Sequence, residues 1–567
     1  MSGKDLARIQ SRITLISLAA SVPYLGAREP TTAVQALRDI NGPSWKEAMD
    51  KEMDSMDSFG VWKLVPPPPG AAVLGCKWIF KFKRDKEGFI ERLKARLTLK
   101  GYRQVEDRDY KETWAPTGRL RCFRWMMAEA SADPTIQTAQ WDCTSAFLHA
   151  NMDKLVFMSQ PEGYESSDEP THVCQLLKAI YGSKQASKLF HDLVCQTFLS
   201  LPEHIEGLEV LQSEADDCLF ILKLGDSWMR VLTHVDDFAV TYNSSALYSK
   251  VFAKFSSEFK MTDYGGAPIH KYVGIAVSRD ALGVHHLSQT GYIEEVLERL
   301  DMQGCAEYDT PEVSGAKGVL MQSDQPLSPA ETQFMSSVPY RAAVGALWYL
   351  ARGTRFDIFH AVQQVSRFTS CPEPTHWRAV QRILGYLAAT KNTPLSLKAV
   401  RLHRPSVDGL DMRFMGHSDS NWSMCPATSK SVSGWVVRFC GALVSWRSRL
   451  QTDIAQSTCE AEYIAASSLS NELIWWRRLA KDLGYPAQGP YRLFCDSEAA
   501  KTLSEHPGRF EATKHIRRRY HVIRQYQARG KIRVLWCPAD HQWADILTKN
   551  TKPKLFRRIV QHLLGAC

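Results

Sequence analysis

The sequence predicts an α+β chain of several domains, on three observations. Its 567 residues are too many for one hydrophobic core, which stops growing near about 250–300 residues. Asp236 and Asp237 stand between two apolar runs, Met229–Val235 and Phe238–Tyr242, that read as the arms of a hairpin. From about Leu410 the order is strand, strand, strand, helix, strand, helix, strand, helix, with acids at the strand ends. Mixed layers of this kind define the α+β and α/β classes.

The elements follow in order. An apolar stretch, Ile13 to Ala27, comes after Arg8 and Arg12 but is diluted by Thr14, Ser17, Ser21 and Pro23. It makes a poor signal peptide, and residues 1–43 are expected to be a partly disordered linker. No apolar run reaches the roughly 18 residues of a membrane span. Ser44-x-x-Glu47 is a capping box that predicts a helix to about Ser58. Val61–Val65 is a short strand, and Pro66 to Pro69 a stiff spacer ending at Gly70. Val73–Lys83 and Phe89–Lys100 are predicted strands joined through Asp85-Lys-Glu-Gly88. On the second, Arg92, Lys94, Arg96, Thr98 and Lys100 share one face, while Leu93, Ala95, Leu97 and Leu99 share the other. The basic face is either solvated or a surface for phosphates. Leu282–Asp309 and Pro339–Thr390 are predicted mostly helical, with Ser314–Pro329 as a loop between them.

Composition narrows the classes. A net charge of +9 suits a nucleic-acid partner and equally a basic soluble enzyme. The 14 cysteines are scattered, without a C-x-x-C, which excludes a zinc knuckle or ribbon and predicts reduced thiols in an intracellular protein.

Adjacent aspartates disfavour a strand, because like charges repel and Asp has low β-propensity. A pair kept there suits a divalent cation, and a two-cation site needs a carboxylate from another strand. Asp142 ends the strand within Thr138–Cys143 and precedes a helical run, Thr144–His149, that contains Phe147. Alone, Asp142 reads as well as a helix cap, and Phe147 as core.

Together these segments resemble the reverse transcriptase of copia-type LTR retrotransposons. The resemblance is carried in collinear order by Trp45-Lys-Glu-Ala-Met49, Val61-Trp-Lys-Leu-Val65, Lys77-Trp-Ile-Phe-Lys81, Lys94-Ala-Arg-Leu97 and Lys100-Gly-Tyr-Arg-Gln104. Asp109-Tyr-Lys-Glu-Thr113, Gln140-Trp-Asp142, Met158-Ser-Gln-Pro-Glu-Gly163, Tyr181-Gly-Ser-Lys-Gln-Ala186, His234-Val-Asp-Asp237 and Tyr272-Val-Gly-Ile275 continue it. It implies a palm, fingers and thumb, with Asp142, Asp236 and Asp237 holding two Mg²⁺ (Mn²⁺ as the substitute) for primer extension with dNTPs on an RNA template. It implies phosphate contacts for Lys94, Arg96 and Lys100, nucleotide or template contacts for Lys184 and Gln185, a sugar contact for Phe147 that disfavours ribonucleotides, and a place for His234 beside the DNA primer end. The sequence departs from the family at His234 (usually Tyr), Ser183 (Leu), Ser187 (Pro) and Ala150 (Gly), none of them a metal ligand.

The C-terminal block resembles the ribonuclease H of the same elements. Gly416-His-Ser-Asp419, Ser457-Thr-Cys-Glu-Ala-Glu-Tyr463, Cys495-Asp496, Lys514-His-Ile516 and Gln542-Trp-Ala-Asp-Ile-Leu-Thr-Lys549 carry the match. By the motif Asp419, Glu462, Asp496 and Asp545 are ligands of a second two-metal site acting on an RNA–DNA hybrid. Glu460 reads as a helix cap, Asp540 as a solvated acid and Cys459 as a packed thiol. Arg517-Arg-Arg519 is either a solvated face or a contact to the hybrid duplex.

The expected divisions are fingers and palm at 44–275, a helical thumb or connection at 276–409, a ribonuclease H-like α/β domain at 410–555 and a tail at 556–567. The expected function is RNA-directed DNA polymerase with ribonuclease H, cytoplasmic with access to the nucleus. The alternative is a catalytically weak or inactive nucleic-acid-binding relic of such an element.

Overall fold

A computed structural model describes residues 29–565 except 85–89, 265, 316–317, 402–404, 424, 426 and 507–515. The apolar stretch Ile13–Ala27, the turn Asp85–Gly88 and the motif residues Lys514 and His515 lie outside the described residues. The chain forms two compact units that cut across the expected fingers-and-palm block. Of the described residues, one unit contains those up to Pro116, Cys143–Ser200 and Phe255–Met261; the other contains Thr117–Asp142, Leu201–Lys254 and those from Thr262 onward.

The first unit is built on the helix Gly42–Ser58, which buries Trp45, Met49 and Met56 on one face. These residues meet the hairpin Cys76–Arg84 and Ile90–Leu99. The Trp45 ring sits edge-on to Phe80 at 5.1 Å. The helix begins two residues before the predicted capping box, and no side chain caps it. Pro43 decides the start, because its fixed φ and missing N–H suit a first helical turn. In the hairpin Trp78 pairs with Leu97 and Phe80 with Ala95, so all four point inward and Arg92, Lys94 and Arg96 outward. The predicted strand Val73–Lys83 is broken after Val73–Leu74. At the break the Gly75 carbonyl accepts the Lys100 N–H at 2.9 Å. A four-stranded sheet in the order Trp62–Val65, Val173–Leu176, Phe157–Met158, Val73–Leu74 completes the unit.

A six-stranded sheet has the order Met261–Asp263, Gln137–Cys143, Asp237–Tyr242, Ser227–His234, Leu219–Leu224, Glu209–Gln212, the last five antiparallel. The helix Leu120–Ala132 packs beneath them and is buried almost all round. Its Arg124 donates to the carbonyls of Val444, Arg352 and Gly353 at 2.7–3.0 Å, and its guanidinium lies 3.9 Å from the Trp446 ring. One hydrophobic core therefore runs from this helix into the C-terminal sheet. Between them lie the helices Thr290–Arg299, Pro329–Ser337, Tyr340–Gly353, Phe359–Ser366 and Pro374–Ala389. The segment 282–309, predicted mostly helical, also holds the strand His285–Ser288. There His285 and Leu287 alternate inward and pair with Ile275–Arg279 and Leu395–Ser396.

The C-terminal sheet has the order Ala442–Leu450, Val432–Phe439, Leu410–Asn421, Tyr491–Cys495, Ile532–Trp536. Adjacent strands among its first three are antiparallel, and its last two run parallel to Leu410–Asn421. The helix Thr458–Asp482 covers one face, capped by Ser457 Oγ, which accepts from the Glu460 N–H. The expected tail is instead the helix Pro553–Leu563, which buries Phe556, Ile559 and Leu563. Among the described residues no helix is long and apolar enough to cross a membrane.

Candidate active sites

The first cluster lies on the six-stranded sheet that contains Gln137–Cys143 and Asp237–Tyr242. His234 pairs with Asp237 across a two-residue turn of Val235 and Asp236. Val235 has φ +57°, a conformation that a β-branched residue rarely adopts. On the next strand Asp142 stands directly opposite Asp237, and directly opposed residues place their side chains on the same face. Burial raises the Asp237 carboxyl above its ordinary value, and Asp236 and then Asp142 push it further. The Val273 N–H donates to Asp237 Oδ2 at 3.3 Å, which opposes the shift. Asp236 sits exposed on the turn. His234 Nδ1 is 3.4 Å from the Gly118 carbonyl, and its ring meets Tyr272 edge-on at 6.3 Å. Gly118 is required there, since a Cβ would lie 2.5 Å from the Thr233 carbonyl oxygen.

Tyr264 joins this neighbourhood unforeseen. Its phenol is raised by burial and then by the charges of Asp142 and Asp237. No motif around it marked it in the sequence.

The remaining candidates of the first cluster lie on the first unit. Phe147, in the 3₁₀ turn Ala146–His149, packs edge-on against Tyr181 at 5.1 Å and Phe190 at 6.4 Å. The Arg96 guanidinium lies over the Tyr181 ring at 3.9 Å. Burial lowers the Lys94 ammonium, and the neighbouring cations Arg96, Lys83 and Arg92 lower it further. Lys100 is half-buried, beside Gly75. Lys184 is exposed, with Nζ 3.1 Å from both the Gln104 carbonyl and the Tyr110 hydroxyl. The expected template contact at Gln185 needs correction. The side chain is fully buried, accepts from Gln104 Nε2 at 3.0 Å and donates to the Asp109 carbonyl at 2.9 Å. Its amide is spent internally, because an unpaired buried amide would be costly.

The second cluster lies at the ends of the C-terminal strands. Asp419 lies near the end of the strand Leu410–Asn421, Asp496 follows the neighbouring parallel strand Tyr491–Cys495, and Glu462 comes from the second turn of the helix Thr458–Asp482. Each of the three offers an oxygen within 4.8 Å of the others. Among the described residues this is the one group of three or more His, Cys, Asp or Glu ligands packed so closely. Burial raises Glu462 well above the usual carboxylate range, with Asp419 and Asp496 adding to it. Glu462 Oε1 accepts the Ser420 N–H at 3.1 Å, while Oε2 is buried with no hydrogen-bond partner. Asp496 is raised by burial and then by Asp419.

Asp545 stands apart from that trio. Burial and then Asp419 push its carboxyl up to about 7, with Lys549 pulling it back. Lys549 Nζ lies 3.1 Å from Asp419 Oδ1 and 2.9 Å from Asp545 Oδ1. The Thr548 hydroxyl closes on the other Asp419 oxygen. Lys549 went unnoticed as a site residue, although its i+4 spacing from Asp545 was a readable signal. Glu460 accepts from the Gln456 N–H at 2.7 Å, and Asp540 is exposed. Arg517 and Arg519 both pair with Asp453 at 2.8 Å.

Residues 59–314 match the family described as Reverse transcriptase (RNA-dependent DNA polymerase). Over 540 residues, 95% of this chain, the sequence is 34% identical to the retrovirus-related Pol polyprotein from transposon TNT 1-94 of Nicotiana tabacum. The chain is a homologue of transposon Pol polyproteins and carries a reverse transcriptase domain. It is also 33% identical over 97% of its length to the Pol polyprotein from transposon RE1 of Arabidopsis thaliana. It spans only 39% and 35% of those two Pol polyproteins. Among solved structures, the N-terminal RNase H domain of a Mycobacterium tuberculosis protein aligns with 27% of the chain at 16% identity and a TM-score of 0.17. Within the Pol chain the first cluster falls inside the reverse transcriptase match, and the second lies beyond its end at residue 314.

Proposed function

We propose that this Pol segment is an RNA-directed DNA polymerase with ribonuclease H activity, using the first and second carboxylate clusters respectively. The observation that supports the polymerase best is the cross-strand pair of Asp142 and Asp237 beside the turn carrying Asp236, inside the reverse transcriptase match. For the nuclease it is the trio of Asp419, Glu462 and Asp496, on a sheet with the strand order described above.

Both clusters fit hard divalent cations. Their donors are all carboxylate oxygens, the type that Mg²⁺ takes. Asp237 and Glu462 are both raised by burial and by neighbouring carboxylates, and Glu462 Oε2 is a buried acceptor without a donor. Asp142, Asp236 and Asp237 would hold cations in the first site, and Asp419, Glu462, Asp496 and Asp545 in the second. Bound there, Mg²⁺ supplies Lewis-acid charge that activates a hydroxyl or water nucleophile and stabilises phosphoryl oxygens.

The protein's own groups do the rest. The basic face of Lys94, Arg96 and Lys100 neutralises phosphate charge, and Lys184 adds an exposed ammonium. Phe147, wedged against Tyr181 and Phe190, sets a rigid limit for a nucleotide sugar. His234, tethered near the Gly118 carbonyl, steadies a primer end. Arg517 and Arg519 offer contacts to the hybrid backbone.

Primer extension on an RNA template with dNTPs and Mg²⁺, alongside cleavage of a labelled RNA–DNA hybrid, tests the proposal. Both activities are expected from the full chain. Hybrid binding with neither activity would instead mark an inactive relic of the element.

A further inference from the structure

Of the groups around the second cluster, the proposed chemistry leaves Lys549 without a part. Its ammonium lies between two of the four proposed ligands, 3.1 Å from Asp419 Oδ1 and 2.9 Å from Asp545 Oδ1. That is where a second cation, shared through Asp419, would bind. The other half of the site is built differently. Asp419, Glu462 and Asp496 converge within 4.8 Å, and Glu462 Oε2 is buried without a donor.

We propose that Lys549 is a built-in placeholder for the second divalent cation, so that the site takes one cation readily and a second only by displacing the ammonium. The inference rests on the ribonuclease H reading of this cluster. The Lys549 ammonium forms ion pairs with both Asp419 and Asp545. A charged amine beside two carboxylates screens their repulsion as a metal would. It differs from a metal in being tethered and removable. The side chain is 35% exposed, and a lysine stem is flexible, so the ammonium has a path to water. The backbone around it is fixed: Asn550 Nδ2 donates to the carbonyls of Val313 and Gly315 at 3.0 and 2.8 Å, and Thr548 holds Asp419 from the other side. Displacement therefore moves one side chain and leaves the loop in place. The second cation would load most readily when substrate phosphate adds its own negative charge. Cleavage would then be coupled to the presence of the hybrid, and the idle site would be spared a second bound metal.

The test is direct Mn²⁺ binding, followed by electron paramagnetic resonance. It uses the full chain carrying Asp142→Asn and Asp237→Asn, which silences the first cluster. With Lys549 present, the C-terminal site should bind one Mn²⁺ tightly and the second at least about tenfold more weakly, a typical size for coupling between two ligands. Lys549→Ala and Lys549→Met should tighten the second ion by about the same factor, while Lys549→Arg should keep it weak. The first tight ion, retained in each variant, reports that the site is folded. Equal affinity for the second ion with and without the lysine, or weaker binding in Lys549→Ala and Lys549→Met, overturns the placeholder. If the chain with its native lysine also cleaves hybrid, the nuclease reading survives that outcome. Absence of both cleavage and any tight Mn²⁺ overturns the placeholder and the nuclease reading together.

Discussion

Gly434 is a sharp point at which to perturb the second site, because it touches no substrate and yet sets where two site residues stand. It lies directly opposite Asp419 in the C-terminal sheet. A Cβ built on it would fall 2.6 Å from Thr548 Cγ2, 2.8 Å from Leu547 Cβ and 3.2 Å from the Leu547 carbonyl carbon. Carbon atoms rest at about 3.5–4.0 Å, so Gly434→Ala must push the Asp545–Lys549 segment outward by about 1 Å. Overpacking of this kind costs about 1–3 kcal/mol. A displacement of about 1 Å at a reactive centre costs on the order of 100-fold in rate. Gly434→Ala should therefore lower hybrid cleavage by about two orders of magnitude while the chain stays folded. Steady-state cleavage of a labelled hybrid, with a thermal melt on the same sample, reads both effects. Thr548→Ser in the same chain removes Cγ2 but leaves the Leu547 contact, so it should restore only part of the loss. Cleavage by Gly434→Ala within about twofold of the parent rate, at unchanged stability, would refute the link between that backbone contact and the site.

Three further outcomes are expected. Folding raises the Asp545 carboxyl to about 7. Its stabilising contribution is then fully present below the unfolded carboxyl value and is lost as pH rises through about 7. Denaturant melts without divalent cations should show the parent losing more stability than Asp545→Asn between pH 5 and 8 (about the span of this titration); equal slopes would contradict this. Gly182, with φ +87° and an ideal Cβ 2.3 Å from the Leu99 carbonyl oxygen, should not accept Ala. Gly182→Ala should cost about 1–3 kcal/mol or more, and a melting temperature equal to the parent's would count against the tight approach described. Phe147→Val should raise ribonucleotide incorporation relative to deoxyribonucleotide incorporation in primer extension, and an unchanged ratio would remove Phe147 from that role.

Local patterns made much of this legible. Period-2 alternation gave the basic and apolar faces of Ile90–Leu99, which the pairing with Cys76–Arg84 reproduces. The acids at strand ends and the tandem aspartates between apolar runs marked both clusters before any coordinates. What stayed hidden was non-local or competitive. Pro43 overrode a well-formed capping box, and Val73–Leu74 left the hairpin to pair with Phe157–Met158 in another sheet. The resemblance put Gln185 near the nucleotide or template, and nothing in its own segment shows that Gln104 and Asp109 enclose it. Arg124, buried against Val444, Arg352 and Gly353, ties segments hundreds of residues apart into one core, which no local spacing encodes. Tyr264 carried no local signal, whereas Lys549 did, through its spacing from Asp545.

The central claim is that two separate carboxylate clusters carry two separate activities. The most direct measurement compares Asp237→Asn and Asp496→Asn in the full chain, with primer extension and hybrid cleavage assayed on the same preparations. Asp237→Asn should abolish extension and leave cleavage, and Asp496→Asn should do the reverse. Loss of both activities from either single change, or of neither from both, would contradict it.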